Sequence, residues 1–251
     1  MSAPATRGQR RAIAVLLALV VVLAVFLQLV ALHEGTAMAH GIAGMATSLI
    51  VIWIFIGGTL MRRWQGAFRR LSHRIPLGWR TRFVLSCIVL ACLEEAVAVS
   101  LTNAAPLFGA RVGEAFITAS ANWLDVVMFH SVVVFVPMFV ALSWVLGRRD
   151  LSPFATFIAF GIVGTLGEVI FAGRVDALLG FPMWVFVYGL MVWLPATALP
   201  PAAERGARPA RWYHAVLAAP VVFLLSLPMV APIVWVIGDL LQHPSIHFVP
   251  Q

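Results

Sequence analysis

The sequence predicts an all-α fold, a polytopic bundle of seven transmembrane helices with the N-terminus in the cytoplasm and the C-terminus outside. Three observations carry this expectation. First, hydrophobic residues make up 62% of the 251-residue chain and charged residues only 11%, against roughly 25% charged in a water-soluble domain. Lipid is therefore the solvent for most of the surface. Second, seven apolar runs are each long enough for the roughly 20 residues that a spanning helix needs. Third, the charges are sorted. With the loops placed alternately on the two sides, 15 of the 17 arginines share one side, and only Arg111 and Arg174 fall on the other. The acids go the opposite way: Asp150 and Glu204 sit with the arginines, while Glu34, Glu94, Glu95, Glu114, Asp125, Glu168, Asp176 and Asp239 lie in the far half. Positive residues stay cytoplasmic during insertion, so the sorting predicts orientation as well as class.

The runs follow in order. A basic start leads into a first span over about 12–32, too long for the apolar core of a signal peptide and read as a retained anchor. His33-Glu34-Gly35-Thr36 turns the chain into a second span, about 37–60, whose Gly41, Ala43, Gly44 and Ala46 suit close packing. Residues 61–82 are expected as a basic cytoplasmic loop with the composition of a short amphipathic helix lying at the interface, its seven arginines interleaved with Trp64, Phe68, Leu71, Ile75 and Trp79. The third span, about 83–102, carries Glu94 and Glu95. An outer loop then leads to the fourth, about 122–146, with Asp125 and His130; Asn103 and Asn122 bracket the loop as candidate caps. Ser152-Pro153 is a natural start for the fifth span, about 153–172, which carries Glu168. The sixth covers about 177–199. The seventh, about 213–240, contains Pro220, Pro228 and Pro232 and is expected to kink or unwind locally. In the tail, His243-x-x-x-His247 has metal-like spacing, but Pro244 argues against a helix there, so the tail is expected to be disordered.

Several functions are excluded or disfavoured. Every basic residue other than histidine is arginine, so there is no lysine for a retinal Schiff base and a rhodopsin is ruled out. The net charge of +7 belongs to short loops beside spans, which speaks against nucleic acid and for anionic lipid headgroups at the 62–82 loop. Cys87 and Cys92 lie five apart on different helix faces and read as small buried hydrophobes. Arginine-only usage with much Ala, Val and Gly points to a GC-rich bacterial genome, hence a bacterial cytoplasmic membrane. Partners within the membrane, or further copies of the chain, are compatible with this composition.

The candidate site is the set of ionisable groups in the outer half. A charge at the centre of a spanning helix costs roughly 2.5–3.5 kcal/mol on insertion scales, so such residues face a cavity or a partner. Counted along their helices at 1.5 Å per residue, Glu94, Glu95, His130 and Glu168 come to a similar depth, with Asp125 nearer the surface. These five are the predicted cation, proton or ligand site. His130 with Glu94, Glu95 and Glu168 is the predicted ligand set for a divalent metal such as zinc, since imidazole and carboxylate are ligands for that class of ion. A proton- or cation-coupled transporter is the leading reading. A membrane-embedded, metal-dependent enzyme acting on a lipid or lipid-linked substrate from the outer leaflet is the alternative. A haem or quinone site using His40 and His130 and a scaffold with interhelical acid clamps are the remaining ones.

The Glu94-Glu95 pair on one span followed by His130 on the next resembles the membrane-embedded metalloproteases related to prenyl-protein processing. Such a resemblance would imply metal-dependent proteolysis. The motif departs at Val99, where that family has arginine, and at Val126, where it has phenylalanine. No residue role is carried over.

Overall fold

The computed structural model describes residues 6–170, 173 and 175–248; Arg174 and the Asp176 side chain lie outside the described residues. Among these residues, seven helices are long and apolar enough to cross a membrane: α1 (Arg7–Glu34), α2 (Ala37–Arg74), α3 (Trp79–Asn103), α4 (Trp123–Leu146), α5 (Pro153–Ile170), α6 (Ala177–Thr197) and α7 (Trp212–Leu240). The chain is thus a multi-pass membrane protein by length and composition of its helices.

Local chemistry sets the helix starts. The Thr6 hydroxyl accepts the Gln9 N–H and the Gln9 side chain accepts the Thr6 N–H in return, which opens α1. Gly35 closes that helix in the left-handed region at φ 64°, and Thr36 then caps α2. Asn122 accepts the Leu124 N–H at 3.0 Å at the head of α4, and Ser152 accepts the Ala155 N–H at 3.1 Å ahead of α5, so the caps expected at these two residues are present. α1 sits at the edge of the bundle with most of its side chains turned outward, and is tied to α2 by Gln28, which donates to the Ala43 carbonyl at 3.1 Å and to Thr47 Oγ1 at 2.8 Å.

The second span departs from expectation. It does not stop near residue 60 but runs unbroken to Arg74, widened to π geometry over Ile50–Gly57. The basic segment is therefore helical up to Arg74, with a turn at 75–78 before α3. Nothing in 61–74 breaks a helix apart from Gly66, arginine is a strong helix former, and Pro76 is the first hard stop. Trp64 and Leu71 project from it, more than 60% exposed. The prolines of α7 are held within a continuous helix, and the widened turn falls after Pro232, over Val236–Leu240.

The core lies among α3, α4, α5, α6 and α7, where Phe139, Leu142, Phe160, Val163 and Met191 are fully buried. α5 and α6 approach closest. A Cβ on Gly164 would stand 2.0 Å from the Tyr188 ring, and one on Gly161 would stand 2.7 Å from the Val185 backbone. Gly41 and Gly44 serve the same purpose elsewhere, admitting Ala110, Ala115 and Phe108 of the 104–121 segment onto α2. At one end of the bundle the arginine-bearing turns meet: Arg149–Asp150 pairs in parallel with Arg208–Pro209. Buried Arg205 donates there to the Leu146 carbonyl, to the Pro200 carbonyl at 2.9 Å, and to Asp150. At the other end Asn103 donates to the Ala121 carbonyl at 2.8 Å, and the His247 N–H donates to the Ala119 carbonyl at 2.7 Å.

Gly164→Ala overpacks the α5–α6 contact and is expected to lower the thermal midpoint in detergent, at a cost of about 1–3 kcal/mol. Gly66→Ala, whose added Cβ would make only an ordinary 3.7 Å contact with the Arg70 guanidinium on the exposed face of α2, is expected to leave the midpoint unchanged or raise it.

Candidate functional site

α4 is not a regular helix where it enters the bundle. Residues Val126–His130 form a π turn, and the Ser131 N–H donates to the Val126 carbonyl five residues back. On a regular helix residues five apart point about 140° away from each other. In a π turn, residue i+5 follows residue i around one turn. This brings Asp125 and His130 to the same side: His130 Nε2 lies 3.6 Å from Asp125 Oδ2. Trp123, whose indole N–H donates to the Cys92 carbonyl at 3.0 Å, anchors this end of α4 to α3.

The C-terminal tail completes the group. Beyond the π turn of α7, the His243 N–H donates to the Ile237 carbonyl at 2.9 Å. Gln242 adopts φ 52°, the one non-glycine residue described in the left-handed region, and the chain folds back over α4. His243 Nε2 stands 2.8 Å from Asp125 Oδ1, and His247 Nδ1 stands 3.0 Å from Asp125 Oδ2. The His243 ring stacks on Phe129 with centroids 4.7 Å apart. Phe248 closes the strap by packing on Phe116 and Gly113. The Ser120 hydroxyl lies beside the Asp125 carboxylate from the loop side.

The expectation of a disordered tail is therefore corrected for residues 241–248. Pro244 does prevent a helix, as expected. Without a helix, the turn it imposes is what lets both histidines reach one carboxylate.

Asp125, His130 and His243 each offer a ligand atom, all within 4.8 Å of one another, and theirs is the one such group among the described residues. Tetrahedral zinc with bonds near 2.0–2.1 Å separates its ligands by about 3.3 Å; here His243 Nε2 lies 2.8 Å from Asp125 Oδ1 and His130 Nε2 lies 3.6 Å from Asp125 Oδ2. Two details bear on what this group could hold. His130 Nε2 is buried without a hydrogen-bond partner. Both ring nitrogens of His243 face oxygen acceptors, Nε2 the Asp125 carboxylate and Nδ1 the Pro244 carbonyl at 3.1 Å. A neutral imidazole has one N–H and can satisfy only one of them. In one tautomer Nε2–H donates to Asp125; in the other Nδ1–H donates to the carbonyl and Nε2 presents a lone pair to the cluster, the arrangement common among metal-bound histidines.

Of the five predicted site residues, Asp125 and His130 lie in this group. Glu94, Glu95 and Glu168 assemble a second, more deeply buried one. Glu94 and Glu95 are 4% and 6% exposed. Thr118 donates to Glu95 Oε2 at 3.2 Å, the Ser131 hydroxyl lies beside the same carboxyl group, and the Tyr188 hydroxyl donates to Glu168. Glu94 interacts with both Glu95 and Glu168. The two groups share their supports: Thr118 and Ser120 come from one stretch of loop, and His130 and Ser131 are consecutive at the π turn. His40 belongs to neither. Sequence reasoning missed the roles of His243, His247, Ser120 and Tyr188; the spacing of the two tail histidines was the available signal.

Comparison with protein-family models, curated proteins and solved structures finds no match for this chain.

Asp125→Ala removes the common partner of the two tail histidines. Residues 241–248 are then expected to become sensitive to limited proteolysis under conditions where the parent chain is resistant, with the helical content measured by circular dichroism unchanged.

Proposed function

We propose that this membrane protein binds a divalent transition-metal ion of the zinc class through Asp125, His130 and His243, at the end of the bundle opposite the arginine turns. The reading rests on one observation: His243 Nε2 and the buried, unpartnered His130 Nε2 converge on the Asp125 carboxylate, one ligand atom from each residue within 4.8 Å of the others. A hard, oxygen-seeking ion such as calcium or magnesium is a poor fit for a site rich in imidazole. His247, 42% exposed on its side chain, stands at the rim on Asp125 and serves as a fourth ligand or as the group that orients the carboxylate. Three firm ligands with an open or exchangeable fourth position is the pattern of zinc sites that do chemistry.

The orientation follows from the charge sorting, which puts the arginine turns in the cytoplasm and this site outside. Between the site and the arginine turns, α4, α5 and α6 pack Phe139, Leu142, Leu146, Phe160 and Met191 with no exposure. That packing supports chemistry from one side over a through-route. The favoured reading is a metal-dependent enzyme that acts on a lipid or lipid-linked substrate reaching the outer end. There the metal would supply a Lewis acid and an activated water, while Asp125, His130 and His243 would hold it in place. A second reading, cation transport coupled to protons, draws on the buried Glu94, Glu95 and Tyr188 with half-buried Glu168 beside the site, since carboxylate chains in membranes relay protons.

Elemental analysis of the detergent-purified protein tests the metal. We expect about one zinc-class ion per chain, lost in His130→Ala and in His243→Ala and retained in His40→Ala. Acidification is expected to release it, because imidazole binds metal only when neutral. Parent protein that takes up no metal at neutral pH would overturn the proposal. Zinc flux into proteoliposomes, abolished by Glu95→Gln, would select transport; its absence in metal-loaded protein would select the enzyme.

A further inference from the structure

An open groove of about 620 Å³ lies between α4 and α7 at the arginine end, remote from the metal cluster. Its polar wall consists of Arg148, Arg149, Arg208 and His214, and its apolar wall continues along α7 through Leu217 and Val221. The short parallel ladder places Arg149 opposite Arg208, and partners on adjacent strands sit about 5 Å apart. The Arg208 N–H donates to the Arg148 carbonyl at 3.0 Å, which fixes the third arginine to the same ladder. The Arg148 guanidinium lies over the Trp144 ring at 4.7 Å from the centroid, held at the groove wall. His214 Nδ1 accepts the Arg211 N–H at 2.8 Å, so its neutral ring has Nε2–H to donate.

Among the described residues no carboxylate pairs with these charges. Among the described residues Arg148, Arg149 and Arg208 form no ion pair, and Asp150, the acid on this turn, is taken by Arg205. Holding guanidinium groups side by side on a rigid ladder is unfavourable unless an anion lies between them. Arginine is well suited to phosphate, which it binds in a forked, two-point geometry. Below the charges the groove opens onto lipid, not into the core: Leu217 and Val221 are 53% and 39% exposed. From Trp212 to Val221 is nine residues, roughly 13 Å along the helix at 1.5 Å per residue, the length of a substantial part of one acyl chain. Basic pockets between helices at this level of a membrane are suited to anionic headgroups.

We propose that this groove binds one anionic phospholipid of the adjoining leaflet, with its phosphate between Arg149 and Arg208 and an acyl chain along Leu217 and Val221. This is a different place from the exposed basic face of α2, where arginines project singly from a helix.

Native mass spectrometry of the full chain, titrated in detergent with phosphatidylglycerol or phosphatidylcholine, tests it. The parent is expected to retain phosphatidylglycerol with at least a tenfold preference. Arg149→Gln with Arg208→Gln should abolish the preference, while Arg62→Gln with Arg69→Gln on α2 should keep it. Val221→Trp leaves every arginine in place, alters only a lipid-facing position, and should weaken phosphatidylglycerol retention by blocking the chain's path. Three results would overturn the proposal: equal retention of the two lipids by the parent, preference surviving in both groove variants, or displacement of the lipid by millimolar inorganic phosphate, which would make a soluble anion the occupant.

Discussion

A carboxylate near the end of a membrane helix has to be met by something, and the meeting of three imidazoles with Asp125 is the interaction on which the far end of this bundle depends. Leaving an acid unpaired at membrane depth costs kilocalories, and Asp125 is 9% exposed. It is met by His130 from its own helix, by His243 and His247 from the opposite end of the sequence, and by Ser120 from the intervening loop. The 104–121 segment, the head of α4 and the C-terminal strap are thereby fixed to one another. The strap is further held by the His243 N–H on the Ile237 carbonyl, the His247 N–H on the Ala119 carbonyl, the His243 ring on Phe129 and the Phe248 ring on Phe116.

The extra residue in the first turn of α4 is what makes this possible. A regular helix would turn His130 away from Asp125 and toward a neighbouring helix or the lipid. The π turn keeps both on one side and also hands Ser131, the next residue, to Glu95. The metal-ligand group and the carboxylate group are thus built on the same two pieces of backbone, one in the loop and one in α4. A change that moves His130 therefore moves the support of Glu95 as well.

The span pattern was legible because the bilayer imposes one long apolar run per crossing, and the caps at Asn122 and Ser152 were legible because capping is local. The end of α2 was not: a basic run reads as a loop when hydropathy decides the boundary, yet arginine propagates a helix until Pro76 stops it. At the site, Asp125, His130 and the three glutamates announced themselves as charges in apolar helices. Their division into two groups did not, because it depends on a π turn, and a π turn leaves no mark in the 3.6-residue periodicity. The histidine pair of the tail was visible as spacing, but the pairing that matters joins residues 118 and 122 positions apart, across a left-handed turn at Gln242 that no local signal requires.

On the two proposals, the groove at the arginine end meets a lipid headgroup and the cluster at the other end meets an ion. The most direct test of this account is the zinc K-edge absorption spectrum of metal-loaded protein. A first shell of nitrogen and oxygen at about 2.0–2.1 Å, with the outer-shell scattering of at least two imidazoles, is the predicted result; that signature should shrink in His243→Ala. A shell of oxygen alone, or a spectrum identical in parent and variant, would contradict it.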